Sequence, residues 1–419
     1  MRTPKKSAIR PTSGPVDRPA DDEIWPRVTR ELADDLAVDA PARDRAGKAP
    51  FDEVARLREA GLPALLTPPG PSGRGADWQS ACAVVREISA ADSSIGELLA
   101  HHYALSWTAR FLSGGATASS APETLENRTA QERWLLAGAI EPSRTTGRPG
   151  PTLTPVDGGH VLEGRRSFTS GVVVADRLIV GARCTGTGET LVALVDPADP
   201  AVFTEAATDR MGQRLAGAGT VTFDQVLLSP RDILGSLSGD EHAVAPFTTL
   251  APLARRLLLV HVGLGIAEGA LAEARDISRA TQAAPPPTDE YPVSGGDDPY
   301  LLLTYGELAT AAHTAAAVVE RATDALARGL RAERSLGVEE RADIAVLVAA
   351  AEAVTSRSAV QITTRILELV ADTAGGGPDF DRFWRNARAL TASSSPAHRL
   401  RDIGDHYLNG THPRLTLRA

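Results

Sequence analysis

HVLEGRRSFTSG (His160–Gly171) begins a series of short β-like runs that are separated by Gly, Pro and Asp. The later runs are DRLIVGARC (176–184), ETLVALVD (189–196), AVFTEA (201–206) and GTVTFDQVLL (219–228). Runs at intervals of about ten residues, with turn residues between them, are typical of a small antiparallel barrel or sandwich. We therefore expect a β-domain over residues 136–238.

Helical periodicity lies on both sides of this β segment. FDEVARLREAGL (51–62) carries one apolar stripe, and Gly61 can end that helix in a left-handed conformation. After the β-domain the helical pattern returns in long segments at 250–284, 300–334 and 338–372, which favours a helical bundle. The order predicts an α+β, mostly α protein. Its other expected parts are a disordered tail (1–22), an N-terminal helical domain (23–135) and a C-terminal bundle (239–419).

Composition argues against several classes of partner. The 419 residues include 44 Lys+Arg and 53 Asp+Glu, a formal net charge of −9, so we expect neither nucleic acid nor a membrane surface as a partner. No apolar run approaches the roughly 20 residues that span a bilayer. Cys82 and Cys184 form no zinc-type spacing, so we expect no metal site and a reducing, cytoplasmic location.

Four local segments resemble a known family. TDRMGQRLAGAGTVTFDQVLL (Thr208–Leu228) resembles the GQR…SGTVTFDDV segment of the dibenzothiophene monooxygenase group, reduced-flavin oxygenases of the acyl-CoA dehydrogenase superfamily. DDPYLLLTYGELA (297–309), DFDRFWRNARALT (379–391) and IGDHYLNGTHP (403–413) resemble bundle segments of that group, in the same order. The resemblance implies the acyl-CoA dehydrogenase fold, with an antiparallel middle domain and a flavin between that domain and the bundle.

The resemblance also implies cofactor residues after the third β run. In GRRSFTSG it places Phe168 over the flavin ring and Ser170 near N5 or O4, with Thr169 between them; residues i and i+2 of a strand share a face. Glu141 stands where a family loop approaches the ring. Taken alone, the segment favours a plain strand with one buried Phe and a Ser in a turn.

Three further residues are assigned to the cofactor by the resemblance. Arg279 aligns with a family arginine suited to phosphate, although a solvated helix arginine has equal weight. Trp384 and Asn386 lie where a neighbouring subunit reaches the flavin in the family, which implies a homotetramer. No G-x-G-x-x-G follows a strand, so a nicotinamide site is not expected. We expect reduced FMN, with FAD as the alternative, supplied by a partner flavin reductase.

The catalytic histidine of the group is matched by SSIGELLAHHY. The resemblance places His102 in the site, with Tyr103 beside it and Trp107 on the pocket wall. The alternative is a packed helix histidine. Neighbouring helical residues differ by about 100° in direction, so His101 and His102 cannot both face one pocket.

The sequence departs from the family near its C-terminus. Where the monooxygenases carry an H-x-x-H pair and dehydrogenases often carry a catalytic glutamate, this chain reads ALTASSSPAH. We expect Leu390, Ser393 and Ser394 to border the substrate pocket. Without a positioned base, abstraction of an α-proton loses about 10²–10⁴ in rate, which disfavours an ordinary dehydrogenase.

The sequence therefore predicts a two-component flavin-dependent monooxygenase. It would use O2 through a flavin C4a-hydroperoxide to oxygenate a sulfur, nitrogen or electron-rich carbon centre of a small molecule. A desaturase with a relocated base is the first alternative. An inactive homologue that serves as a binding or scaffold protein is the second.

Overall fold

Twelve α-helices and eight strands make up the part of the chain that this computed structural model describes, residues 21–70, 72–112, 120–141, 150–237, 244–283, 298–371, 379–392 and 396–411. The predicted order of helices, sheet and helices is confirmed. The predicted tail lies outside the described residues, except that Asp21 and Asp22 already belong to the first helix.

The helices that precede the sheet are α1 Asp21–Ala37, α2 Ala40–Ala46, α3 Phe51–Glu59, α4 Trp78–Ala91, α5 Ser93–Ser106, α6 Thr108–Leu112 and α7 Ser120–Glu132. Asp92 separates α4 from α5 and begins α5 as its N-cap, because its carboxylate accepts a hydrogen bond from Ser94 N at 3.1 Å. Gly61 has φ +78° and turns the chain from α3 into a short 3-10 turn, Leu62–Ala64. That turn packs against α5, the helix that carries His101 and His102.

The sheet comprises β1 Leu136–Ala139, β2 Thr152–Val156, β3 Gly159–Phe168, β4 Arg177–Cys184, β5 Thr190–Val195, β6 Val202–Ala206, β7 Gly219–Leu228 and β8 Ile233–Leu237. Its order is β6-β7-β3-β2-β4-β5-β8, with β1 also paired to β4. β1 and β2 both run parallel to β4, whereas the other described pairings are antiparallel. The sheet is therefore mixed, whereas the sequence analysis expects an antiparallel one. Parallel pairs are joined by long crossover connections, which leave no turn signal in the local sequence.

The C-terminal helices are α8 Leu250–Ala283, α9 Pro299–Ala332, α10 Val338–Ala371, α11 Asp381–Ala392 and α12 Pro396–Asn409. The limits of the three long helices lie within two residues of those that the sequence predicts. By length and composition α8 could cross a membrane, but 72% of its most apolar window is buried inside the protein. It has the burial of a core helix.

Two large apolar cores and a third, smaller cluster around Ile179 hold these layers together among the described residues. One runs from the N-terminal helices into the bundle and includes Ile88 and Leu264. The other lies in the sheet and includes Leu162 and Phe223. The N-terminal helices, the sheet and the bundle meet beside α5, and at that junction the packing leaves a cavity.

Candidate functional site

A cavity of about 590 Å³ opens where α5, the end of β3, α8, α10 and α11 meet. Leu259 and Val260 of α8 and Leu390 of α11 supply apolar wall, and the rest is largely polar. Leu390, which the sequence analysis assigns to the substrate pocket, lines this cavity. Ser393 and Ser394, the other predicted pocket residues, lie outside the described residues.

The α5 face of the cavity presents Glu97 and His101, one helical turn apart. Nε2 of His101 lies 3.7 Å from Oε1 of Glu97, and the side chain of Glu97 is only 6% exposed. This pair is the one histidine–carboxylate pair among the described residues that line the cavity. It can hold a proton or pass one to a bound molecule.

His102, the residue that the sequence places in the site, points away from the cavity. It is fully buried; its Nε2–H donates to Pro63 O at 2.8 Å, and its Nδ1 accepts from Leu136 N–H at 3.0 Å. Burial lowers the pKa of His102 to about 4, so the ring is neutral at pH 7. Both ring nitrogens are therefore engaged in joining α5 to the 3-10 turn and to β1.

Tyr103 and Trp107, like His102, contact backbone oxygens in the segment that follows Gly61. The Tyr103 hydroxyl donates to Leu62 O at 3.1 Å, and burial raises its pKa above the ordinary value. Trp107 Nε1 lies 3.4 Å from Leu66 O, and its ring packs edge-on against Trp78. Neither residue lines the cavity.

At the end of β3 the side chain that reaches the cavity is Thr169. Phe168 is buried in the core of the sheet, and Ser170 is also buried, with its hydroxyl donating to Ala216 O at 3.1 Å. Because β3 ends at Phe168, Ser170 belongs to the bend that follows the strand, and neither residue lines the cavity. Thr169, between them, is exposed on the cavity side.

A hydrogen-bond network joins the three parts of the chain beside the cavity. Asn386 of α11 accepts a bond from Gln213 N at 2.7 Å and donates to Ser93 Oγ of α5 at 2.9 Å. Gln213 has φ +53°, which its bond to Asn386 helps to hold. Its side chain lines the cavity with Nε2 unpaired among the described residues. Asn386 does not itself line the cavity, but its hydrogen bond holds Gln213, which does.

The bundle side of the cavity carries arginines that the sequence analysis did not select. Arg255 and Arg256 stand on α8, and Arg399 on α12. Nε of Arg256 and Nε of Arg399 lie 2.9 and 3.1 Å from the same oxygen, Oε2 of Glu352. The available signal was a pair of arginines, and one glutamate, inside otherwise apolar helical segments, since charged residues are seldom buried unless they are paired.

The remaining predicted cofactor residues lie apart from the cavity wall. Arg279 lines a different groove, of about 650 Å³, between α8 and α9. Trp384 is partly buried on α11 and does not line the cavity. Glu141 accepts a bond from Arg166 through its backbone oxygen, and its carboxylate lies 3.9 Å from Arg255. Within the described ranges no group of three or more His, Cys, Asp or Glu side chains could hold a metal ion.

Comparison with known proteins agrees with this architecture. The acyl-CoA dehydrogenase N-terminal domain family matches residues 19–115, and the C-terminal domain family matches residues 257–395. A dibenzothiophene monooxygenase of Rhodococcus erythropolis is 31% identical over 425 residues, 98% of this chain and 98% of that protein. A probable FMNH2-dependent monooxygenase, SfnC, of Pseudomonas putida is 30% identical over 394 residues, 92% of this chain and 95% of that protein.

A solved structure gives the same result in three dimensions. Methanesulfinate monooxygenase MsuC from Pseudomonas fluorescens superposes with a TM-score of 0.84 at 30% identity, covering 94% of this chain and 99% of that one. Identity at this level over nearly the full length of each protein establishes common descent. The chain therefore belongs to the acyl-CoA dehydrogenase superfamily, in the group of reduced-flavin monooxygenases that contains the dibenzothiophene monooxygenases.

Proposed function

We propose that this protein is the oxygenase component of a two-component system. It uses reduced FMN, and we infer that a separate flavin reductase delivers it. The proposed reaction transfers one atom of O2 to a sulfur, nitrogen or electron-rich carbon atom of a small molecule. The observation that carries the proposal is the cavity between the sheet and the bundle, lined by Thr169 and the unpaired amide of Gln213.

The residues at that cavity fit an FMN ring. The Gln213 side chain is 1% exposed, and its Nε2 finds no hydrogen-bond partner among the described residues. A buried unpaired donor is costly, and a ring carbonyl oxygen is a group that would satisfy it. Thr169 and Gln213 would then hold the ring from the β-domain side. Reduced FMN, when bound, supplies the electrons that activate O2.

The other residues of the wall have roles that follow from their chemistry. Leu259, Val260 and Leu390 exclude water from the reacting atoms. His101, beside Glu97, is placed to hold or transfer a proton during the reaction. We assign this role to His101 and not to His102, because both ring nitrogens of His102 are bonded to backbone.

Isotope labelling tests the reaction type. Chemically reduced FMN, the protein and a probe (methyl phenyl sulfide, indole or benzenesulfinate) are mixed without oxygen, and ¹⁸O2 is then admitted. We expect one ¹⁸O atom in the product, detected by mass spectrometry. A desaturated product without ¹⁸O would instead support a desaturase with a relocated base, for which Glu97 on the cavity wall is a candidate. A protein that binds neither oxidised nor reduced FMN would be a scaffold.

We also propose a cytoplasmic homotetramer. Support comes from exposed apolar side chains at the start of α9, where Tyr300, Leu302 and Leu303 are 82%, 59% and 62% exposed, a surface suited to another subunit. Cys82 and Cys184 are free thiols, which suits a reducing compartment. Light scattering should give four times the 44.0 kDa chain mass, and cell fractionation tests the location.

A further inference from the structure

The cavity carries more positive than negative charge. Among the described residues that line it, four are arginines and two are glutamates. The arginines are Arg210, Arg255, Arg256 and Arg399, and the glutamates are Glu97 and Glu352. A wall of this kind in a partly enclosed space attracts anions, since few water molecules screen the charge.

One carboxylate is shared between two of these guanidinium groups. Arg256 and Arg399 both bond to Oε2 of Glu352, and their side chains are 12% and 23% exposed. A single negative charge balances one of the two positive charges. The group of three therefore keeps a net positive charge at the cavity wall.

Among the three cavity arginines that the bundle supplies, Arg255 has the most exposed side chain, at 30% against 12% for Arg256 and 23% for Arg399. Its Nε is buried and finds no partner among the described residues. The nearest carboxylate oxygen in an ion pair, Oε1 of Glu141, lies 3.9 Å from an Arg255 terminal nitrogen, which is beyond hydrogen-bonding distance. Buried donors of this kind normally have a partner, so the geometry leaves a place for an acceptor.

A neutral donor lies on the neighbouring helix. Thr355, one turn after Glu352 on α10, is 3% exposed, lines the cavity, and its hydroxyl has no partner among the described residues. Gly263 of α8 also lines the cavity, and α8 comes close to α10 and α11 there: a Cβ on Gly263 would lie 3.2 Å from Thr355 Cγ2 and 3.5 Å from Leu390 Cδ2. The cavity thus extends between α8, α10 and α11, with unpaired donors along its wall.

We infer that this end of the cavity binds an anionic group of the substrate, a carboxylate, sulfinate or sulfonate, with Arg255 as the principal contact. The inference rests on the proposed function, because it names the class of molecule that the oxygenase accepts. Arg255 would be a binding residue, and Arg256, Arg399 and Glu352 would set the local charge. The same chemistry could serve the phosphate of FMN, so the test separates the two anions.

Calorimetry on the protein saturated with oxidised FMN measures the substrate anion without turnover. The matched probes are benzenesulfinate, which is anionic, and methyl phenyl sulfoxide, which is neutral and of similar size. We expect benzenesulfinate to bind at least tenfold more tightly, about 1.4 kcal/mol. Arg255→Gln should remove that preference, Arg255→Lys should retain part of it, and affinity for the sulfoxide should stay constant. Equal binding of the two probes to the parent protein would overturn the inference.

The control variant is Arg328→Gln, which removes the same charge from an exposed position on α9 outside the cavity. It should leave both affinities within twofold, and far-UV circular dichroism checks the fold of each variant. Titration with FMN and with riboflavin identifies the anion. If Arg255→Gln weakens FMN but not riboflavin, the arginine holds the cofactor phosphate and the inference is wrong. A parent protein that binds benzenesulfinate but no FMN would sink the proposed function and leave the anion site standing.

Discussion

His102→Ala should destabilise the protein without acting on the reaction directly. The imidazole bridges two backbone groups that belong to different parts of the chain, Pro63 in the 3-10 turn and Leu136 in β1. Its removal leaves a buried carbonyl and a buried N–H without partners. Each such group costs about 1–3 kcal/mol, so the two together cost roughly 2–6 kcal/mol before the lost packing is counted.

Thermal unfolding at a fixed scan rate measures this cost, since unfolding of a chain of this size need not be reversible. A loss of that magnitude should lower the unfolding midpoint by about 2–7 °C, because the unfolding entropy of a 419-residue chain is about 0.9 kcal/mol/K. His101→Ala is the matched neighbour: His101 is partly buried and its only described ion pair is the 3.7 Å approach to Glu97. We expect a smaller loss than for His102→Ala, because the 3.7 Å approach of His101 to Glu97 is longer than a hydrogen bond, so the substitution removes no buried hydrogen bond of this pair.

Peroxide release separates the two histidines functionally. His101→Ala should increase the hydrogen peroxide that leaks from reduced FMN and O2 per molecule of product. His102→Ala, assayed at a temperature where it is folded, should leak as the parent does. The reverse pattern, a stable His102→Ala with high leakage and a silent His101→Ala, would refute this reading and restore His102 to the site.

Three more outcomes are expected. Burial lowers the pKa of His102 to about 4 and the pKa of His261, on α8, to about 3, whereas both side chains titrate near 6.5 in the unfolded chain. Between pH 6.5 and these lower pKa values the unfolded chain therefore binds more protons than the folded protein. The unfolding midpoint should then be highest above pH 6.5 and fall as the pH drops towards 4 and 3, and a flat profile over that range would contradict it. Asn386→Ala should weaken oxidised FMN several-fold in fluorescence titration by releasing Gln213, with the exposed Asn409→Ala unchanged. Reduced FMN should bind at least tenfold more tightly than oxidised FMN, about 1.4 kcal/mol, in anaerobic against aerobic titration, and equal affinities would argue against delivery by a reductase.

The order of helices and strands could be predicted because hydrophobic period is a local property. Helix α9 keeps an apolar face along its 34 residues, and β7 alternates between buried and less buried residues over most of its ten. The direction in which two strands pair, by contrast, is not a local property of either strand. β1 and β2 lie end to end along the same edge of β4, opposite Arg177 and Arg183, and nothing in their own sequences specifies that register.

The site was harder to predict than the fold because it depends on which way a face is turned. Strand alternation predicts a common side for Phe168 and Ser170, but β3 ends at Phe168, so the directions of Thr169 and Ser170 depend on the bend that follows the strand. Alternation alone leaves the choice of side open, and the packing of β3 in the sheet core buries the Phe. The same ambiguity affects α5, where neighbouring histidines differ by about 100° and contacts with Pro63 and Leu136 fix the phase.

The charged wall was missed for another reason. Arg256, Glu352 and Arg399 come from three helices, and the apolar sequence around Arg256 and Glu352 does not indicate which residues they pair with. Only the tertiary structure shows that Arg256 and Arg399 bond to the same oxygen of Glu352. Distance in sequence therefore hid the feature that the proposed anion site depends on.

The arrangement of these residues gives the cavity two chemically different sides. The group that can handle a proton, Glu97 with His101, belongs to α5 of the N-terminal part, whereas three of the four cavity arginines belong to the bundle. The sequence ALTASSSPAH carries no histidine pair where the resembled family has one. If that pair handles protons in the relatives, the same task here falls to α5, and the bundle side is free to recognise charge. On the proposed function, His101 variants should then change coupling and Arg255 variants should change affinity, with little effect of either on the other quantity.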